Sequence, residues 1–267
     1  MLLPYTTLFR SDTLAAPVPH LVVEGASDIA RESADVVLLQ KSLEAVVDGV
    51  REGRVIFANI LKYLKITMTS NFGNFYSVAV ASLFLPFVPL LPVQILLLNL
   101  LSDFPMIAIA TDTVDHEELE RPKNYQVHSV VFLASLFGAV SSIFDFILFG
   151  YFHRVSPEAL QTAWFMLSVI TEVVLIFSLR TRFAFFRAKR SSFSLLFFSL
   201  TALAAAIAIP FTPFGATLHF IKPDMGFIML IGALAVGYFF ATETVKRFYQ
   251  KHFSRMSPGE TALESAR

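Results

Sequence analysis

A polytopic α-helical membrane protein, six helices preceded by a small α/β remnant, is the fold class this sequence predicts. Three observations predict it. The 267 residues are 55 % hydrophobic and only 16 % charged, against roughly 25 % charge in ordinary soluble domains. Six stretches reach the ~20 mostly apolar residues that a bilayer core about 30 Å thick demands. Lysine and arginine gather on one side of those stretches. A formal net charge of zero gives no ground for expecting a nucleic-acid partner. The lack of cysteine excludes disulfides, thiolate metal sites and cysteine nucleophiles.

Residues 1–24 open no recognisable helix or strand, and they have neither the apolar region nor the small-residue cleavage site of a signal peptide. Residues 4–11 read as one frame of a sequencing-library adapter. Residues 1–24 are therefore expected to be an adapter-derived or frame-shifted leader, with the true upstream part missing. In residues 25–41, Ser27 can cap a short helix running through Ala34, with Asp28 favourable at its positive end. The β-branched run at 35–39 fits one buried strand. A lone strand leaves its edges unpaired, so this stub is expected to be the last piece of a larger α/β domain. Residues 42–65 form an expected stalk helix, since Leu43, Val46, Val47, Val50, Ile56 and Ile60 recur at helical spacing without a proline. The stalk runs straight into a membrane part at 66–253. Its helices are expected at about 66–88, 92–111, 128–151, 160–179, 192–214 and 225–245, and residues 254–267 form a tail.

Orientation follows from the connections. One side holds Arg51, Arg54, Lys62 and Lys65, then Arg121 and Lys123, then Arg180, Arg182, Arg187, Lys189 and Arg190, and finally Lys246, Arg247, Lys251 and Arg255. The other side offers Arg154 and Lys222. A multi-pass protein of the cell membrane with both termini cytoplasmic is expected. Lys62 and Lys65 are expected to snorkel at the interface, and Glu243 to lie at its edge within reach of water. The alanine-rich run 202–208 suggests close helix packing.

Charges inside membrane helices are costly and usually functional. Asp103, Asp145 and Glu172 fall well inside the expected spans. Asn71 and Asn74 are three residues apart, and Asn99, Ser102 and Asp103 are spaced i, i+3, i+4, so each set lines one helix face. Pro105 has no N–H for the Leu101 carbonyl and is expected to kink its helix. Carboxylate, amide and freed carbonyl oxygens together suit a hard divalent cation, and Mg²⁺ often keeps several waters. From the residues alone, Asn71 and Asn74 serve equally well as hydrogen-bonding glue between helices.

Longer motifs carry a family resemblance. GASDIARESADVVLLQKSLEAVVDGVREGRVIFANILKYLKITMTSNFGN, residues 25–74, resembles the segment of P-type ATPases that joins the phosphorylation domain to the fifth transmembrane helix. PVQILLLNLLSDFPMIAIATDTVD, residues 92–115, resembles their sixth helix with its Asn…Ser/Thr-Asp triplet. SSIFD at 141–145, the Arg180-Thr181-Arg182 run and KRFYQ at 246–250 are most similar to the magnesium-transporting branch. The resemblance covers residues 25–253. It implies that the six spans are helices five to ten of a ten-helix pump, and that the stub is a remnant of a HAD-like phosphorylation domain.

The resemblance also implies a site. Mg²⁺ as the transported ion would be held by Asp103 and Asn99 first, then Asn71, Asn74 and Ser102. Glu172 is implied as a further ligand, a proton carrier or a counter-ion. Calcium pumps carry Glu where Asn74 stands, and the amide here argues for one hydrated ion. Glu172 stands where calcium-type pumps also have Glu, which leaves the choice of ion open. Asp145 is implied in a structural or gating role. No catalytic or cofactor-binding residue is expected, because Asp-Lys-Thr-Gly-Thr, Thr-Gly-Glu and Gly-Asp-Gly-x-Asn-Asp are absent from the sequence. Mg-ATP then belongs to the full-length parent, and this chain alone is expected to be inactive. Expected partners are the lipid bilayer, the transported cation and the missing N-terminal part of the same pump. Two rivals stand beside this reading: a pump fragment for Ca²⁺, Na⁺ or H⁺, and a free-standing six-helix channel or accessory subunit without enzyme activity.

Overall fold

The computed structural model describes residues 20–39, 42–120 and 127–252. The leader up to residue 19, the tail 254–267 and the connection holding Arg121 and Lys123 lie outside them. Two units divide between Gly53 and Arg54.

In the first unit, strand β1 (Leu21–Val23) and strand β2 (Val36–Leu38) flank helix α1 (Asp28–Glu32). Ser27 caps α1 as expected, its Oγ accepting from the Ala30 N–H at 3.4 Å. The strands pair in parallel, with Leu21 opposite Val36 and Val23 opposite Leu38. The strand expected to stand alone therefore has a neighbour, drawn from residues assigned to the leader. Three apolar residues just after Pro17 and Pro19 are too short a run to read as a strand. Asp35 Oδ2 secures their start by accepting from the His20 N–H at 2.9 Å.

Helix α2 runs unbroken from Leu43 to Phe84, joining the expected stalk and first span. It stops before Pro86, whose ring disfavours helical backbone at the preceding residue. Helices α3 (Pro92–Ala108), α4 (Val127–Phe152), α5 (Pro157–Leu179), α6 (Phe193–Ala208), α7 (Pro213–Thr217) and α8 (Met225–His252) follow. Among the described residues, five segments are long and apolar enough to cross a membrane: Pro92–Thr111, Val127–Phe152, Pro157–Leu179, Phe193–Phe211 and Met225–Lys251. Helix α2, which contains the first of the six expected spans, is not among them. Thr67, Thr69, Ser70, Asn71, Asn74 and Ser77 lower its hydropathy over that stretch.

Helix α5 is the centre of the bundle. Its apolar stretch is 78 % buried, against 17 to 39 % for the other four, and α3, α4, α6 and α8 all pack on it. One apolar cluster gathers Leu98, Leu148, Leu160, Trp164 and Phe165, with the Trp164 ring edge-on to Phe149 at 4.9 Å. A second gathers Ile66, Ile109, Phe137, Ile176 and Tyr238. Ala202 and Ala206 are buried on α6, in keeping with the close packing expected of that run. Pro105 is buried inside α3, which continues past it to Ala108.

An ion cluster ties the ends of these helices. Asp112, just beyond the α3 span, accepts from Lys62 Nζ at 3.0 Å and from Arg180 Nε and Nη2, each at 3.0 Å. Lys62 and Arg180 are both 6 % exposed. Burial works to raise the Asp112 carboxyl, but hydrogen bonds and charges from Arg180 and Lys62 outweigh it and hold the group below its ordinary range. Two expectations are corrected here. Lys62 does not snorkel but is buried against Asp112, because the chain folds the 109–115 turn over it. Glu243 is not at a watery edge: it is buried, accepting from Lys246 Nζ at 2.8 Å and Ser178 Oγ at 2.7 Å.

Candidate cation site

The polar residues on α2 repeat as Ser70, Asn74 and Ser77, spaced i, i+4, i+7, so they share a face. That face meets α5, where Ser168, Thr171 and Glu172 are spaced i, i+3, i+4, and α4, where Ser141 and Asp145 are i, i+4. Together with Thr69, Leu175 and Tyr238 from α8, these elements line a cavity of about 10 Å³.

Glu172 is the centre of the arrangement. Its Oε1 accepts from Ser70 Oγ at 2.5 Å and from Asn74 Nδ2 at 3.2 Å. Its Oε2 is buried and has no hydrogen-bond partner. On the α4 side, Asp145 Oδ2 accepts from Ser77 Oγ at 2.5 Å. No lysine, arginine or histidine is among the cavity-lining residues. The wall is thus carboxylate, amide and hydroxyl, the donor set that hard cations prefer.

The six expected ligands separate into two groups. Asn74, Ser102 and Glu172 are turned into the bundle, with Asn74 and Glu172 in direct contact. Ser102 is buried on α3 and donates to the Leu98 carbonyl at 3.0 Å. Glu172 lies within electrostatic reach of the Asp103 carboxylate. Asn71, Asn99 and Asp103 are exposed on α2 and α3. A separation of three residues leaves Asn71 and Asn74 about 60° apart around α2, enough for one to face inward and the other outward. Among the described residues no three His, Cys, Asp or Glu side chains converge as a metal cluster.

Sequence reasoning missed Ser70, Ser77, Ser141, Ser168, Thr171 and Tyr238. The signal was present for the first two, which extend the Asn74 face by one turn each way. Ser141 stands four residues before Asp145 and was visible in the same way. Nothing in the sequence pointed to Tyr238, which reaches the cavity from a helix remote in the chain.

Residues 87–248 match the family described as Cation transporting ATPase, C-terminus. The magnesium-transporting ATPase, P-type 1, of Salmonella typhimurium is 38 % identical over 238 residues, 86 % of this chain and 26 % of the relative. Its namesake from Escherichia coli K12 is 39 % identical over 238 residues, with the same coverage. A calcium-transporting ATPase of Bacillus subtilis is 26 % identical over 227 residues, 79 % of this chain and 25 % of the relative. The chain spans about a quarter of the length of these relatives.

Proposed function

The chain belongs to the P-type cation-transporting ATPases as their C-terminal membrane portion, and from that premise we propose that it is the ion-carrying half of a Mg²⁺ pump. The observation that carries this reading is the division of the polar residues. Asn71, Asn99 and Asp103 lie exposed on stretches, 66–84 of α2 and 92–108 of α3, whose other exposed residues are mostly apolar, where lipid would leave a carboxylate and two amides unsatisfied. Such a face calls for a further helix, and the cation would sit between that helix and Asp103. Asn74, Ser102 and Glu172 would complete the path on the inner side. Magnesium is the preferred cargo because the relatives with higher identity are named for it. One Asp with amide partners also suits an ion that keeps several waters.

Helix α2 would make the first of six crossings, carrying motion from a HAD-like phosphorylation domain, of which residues 25–41 would be a remnant, to Asn71 and Asn74. Asp103 would alternate between the two sides of the membrane. ATP hydrolysis would belong to upstream parts of the pump, so this chain alone would not turn over. The cell membrane, with both termini cytoplasmic, fits the one-sided lysine and arginine. A second reading, in which the cargo is Ca²⁺, Na⁺ or H⁺, is favoured by one feature: Glu172 stands where calcium-type pumps carry Glu.

In the full-length parent, Asp103→Asn should abolish cation-stimulated ATP hydrolysis. Undiminished stimulation at unchanged cation affinity would sink the site. Stimulation of the parent by Ca²⁺, with Mg²⁺ acting only with ATP, would favour the second reading.

A further inference from the structure

Asp145 has no task in the cation path just described, yet it shares the cavity with Glu172. It is 3 % exposed on α4 and receives Ser77 Oγ at 2.5 Å. Glu172 Oε1 is satisfied twice, by Ser70 and Asn74. Oε2 is buried on a side chain that is itself 6 % exposed, and it accepts from no group. A buried carboxylate oxygen without a donor is costly, and the Ser102 hydroxyl, although within reach of Glu172, is turned to the Leu98 carbonyl at 3.0 Å. The cavity of about 10 Å³ is at the size that admits one water molecule. Its wall brings the hydroxyls of Ser141 and Tyr238 and the Asp145 carboxyl to the same space. Such a water would have the two to four polar partners that buried waters take. The titratable groups facing the cavity are Glu172 on α5, Asp145 on α4 and Tyr238 on α8. None comes from α2, which contributes hydroxyls and an amide.

We propose that this cavity is a binding site for a single water molecule that donates one hydrogen bond to Glu172 Oε2 and the other to Asp145, making Asp145 a positioning residue for Glu172. The water accepts from the Tyr238 hydroxyl, so the last helix of the bundle also takes part in holding Glu172. Ser77 in turn fixes Asp145 from α2. The carboxylate of Glu172 is then held at both oxygens, by α2 on one side and through the water by α4 and α8 on the other. The functional consequence, a fixed Glu172 geometry toward the cation, rests on Glu172 belonging to the cation path. The water site itself does not.

The test is density for the full-length pump in lipid, at a resolution that shows ordered water. One peak is expected at hydrogen-bond distance, about 2.7–3.0 Å, from both Glu172 Oε2 and Asp145. Contacts near 2.1 Å would mark a cation instead, and a cavity without a peak would be dry; either overturns the proposal. Asp145→Asn keeps the volume, and it should weaken apparent cation affinity about tenfold, as loss of an outer-shell partner does, with a much smaller change in maximal rate. Unchanged affinity in a folded variant removes the positioning role. If Asp145→Asn does not fold, Tyr238→Phe removes one hydroxyl from the wall, and the peak should weaken or vanish. A water peak in a pump whose Asp103→Asn variant stays fully stimulated would sink the cation path and leave the water site standing.

Discussion

Asp112 is the residue on which most of the polar packing at one end of the bundle depends. Beyond Lys62 and Arg180, its Oδ1 accepts from the Ser192 N–H at 3.2 Å, and its backbone carbonyl accepts from Asn59 Nδ2 at 2.9 Å. One carboxylate thus joins the end of α3 to α2, α5 and the start of α6. Removing it leaves two buried cations without their counter-charge, and breaking a buried pair in that way costs about 3–5 kcal/mol. Asp112→Ala should therefore lower the thermal midpoint in detergent markedly, and an unchanged midpoint would show that the cluster does not hold the helix ends. Acid gives a second reading of the same residue. The folded carboxyl titrates below its ordinary value, so its stabilisation is complete above about pH 4 and is lost as pH falls through the depressed value. Asp112→Asn should flatten that part of the pH–stability curve. None of this was legible beforehand. Lys62 and Asp112 are 50 positions apart, and a lysine near a membrane edge reads as a snorkelling one until the turn that covers it is known.

Among the elements, α2 and α4 come close together at one point, where Gly73 meets Gly138. A Cβ built on Gly138 would lie 2.9 Å from the Gly73 backbone nitrogen and 2.9 Å from Phe72 Cβ, so the helices must separate to admit it. Glycine is required there by contact, not by backbone conformation. The Ser142 hydroxyl reinforces the seam by donating to the Gly73 carbonyl at 3.1 Å. Gly138→Ala is expected to cost about 1–3 kcal/mol, the usual range for overpacking a filled interior, and to disturb Ser70 and Asn74 on the neighbouring face of α2. Gly150, on the same helix, has nothing within 4 Å of a built Cβ, so Gly150→Ala should be neutral or stabilise by up to about 1 kcal/mol. Equal effects of the two substitutions on thermal stability would refute the contact explanation. Helix identity was readable at this scale, because long apolar runs starting at Pro92 and Ser192 declare their own starts. Which faces meet was not, since a helix apolar nearly all round carries no stripe to aim it.

For the whole molecule, the open point is whether α2 crosses the membrane with the other five. Its average hydropathy argues against it, but an average counts inward and outward residues alike. The polar side chains Ser70, Asn74 and Ser77 turn inward to Glu172 and Asp145, while Phe75, Val78, Leu83 and Phe84 are exposed. At 42 residues and 1.5 Å per residue, the helix is about twice the length a bilayer core requires, so one half can span while the other stays outside. Composition and charge predict six spans, and the inward contacts of α2 explain why its stretch 66–84 is less apolar than the other five. Because the chain has no cysteine, single substitutions can report the crossing with a membrane-impermeant maleimide. Lys222→Cys, on the side poor in lysine and arginine, should label in intact cells. Arg187→Cys, between α5 and α6, should label only after permeabilisation. Ile56→Cys on the exposed face of α2 discriminates between five crossings and six. Labelling together with Arg187→Cys means that α2 spans, since the 85–91 turn then faces the side of Lys222. Labelling together with Lys222→Cys means that α2 lies outside the bilayer, and Asn74 and Glu172 could not then share a path through it.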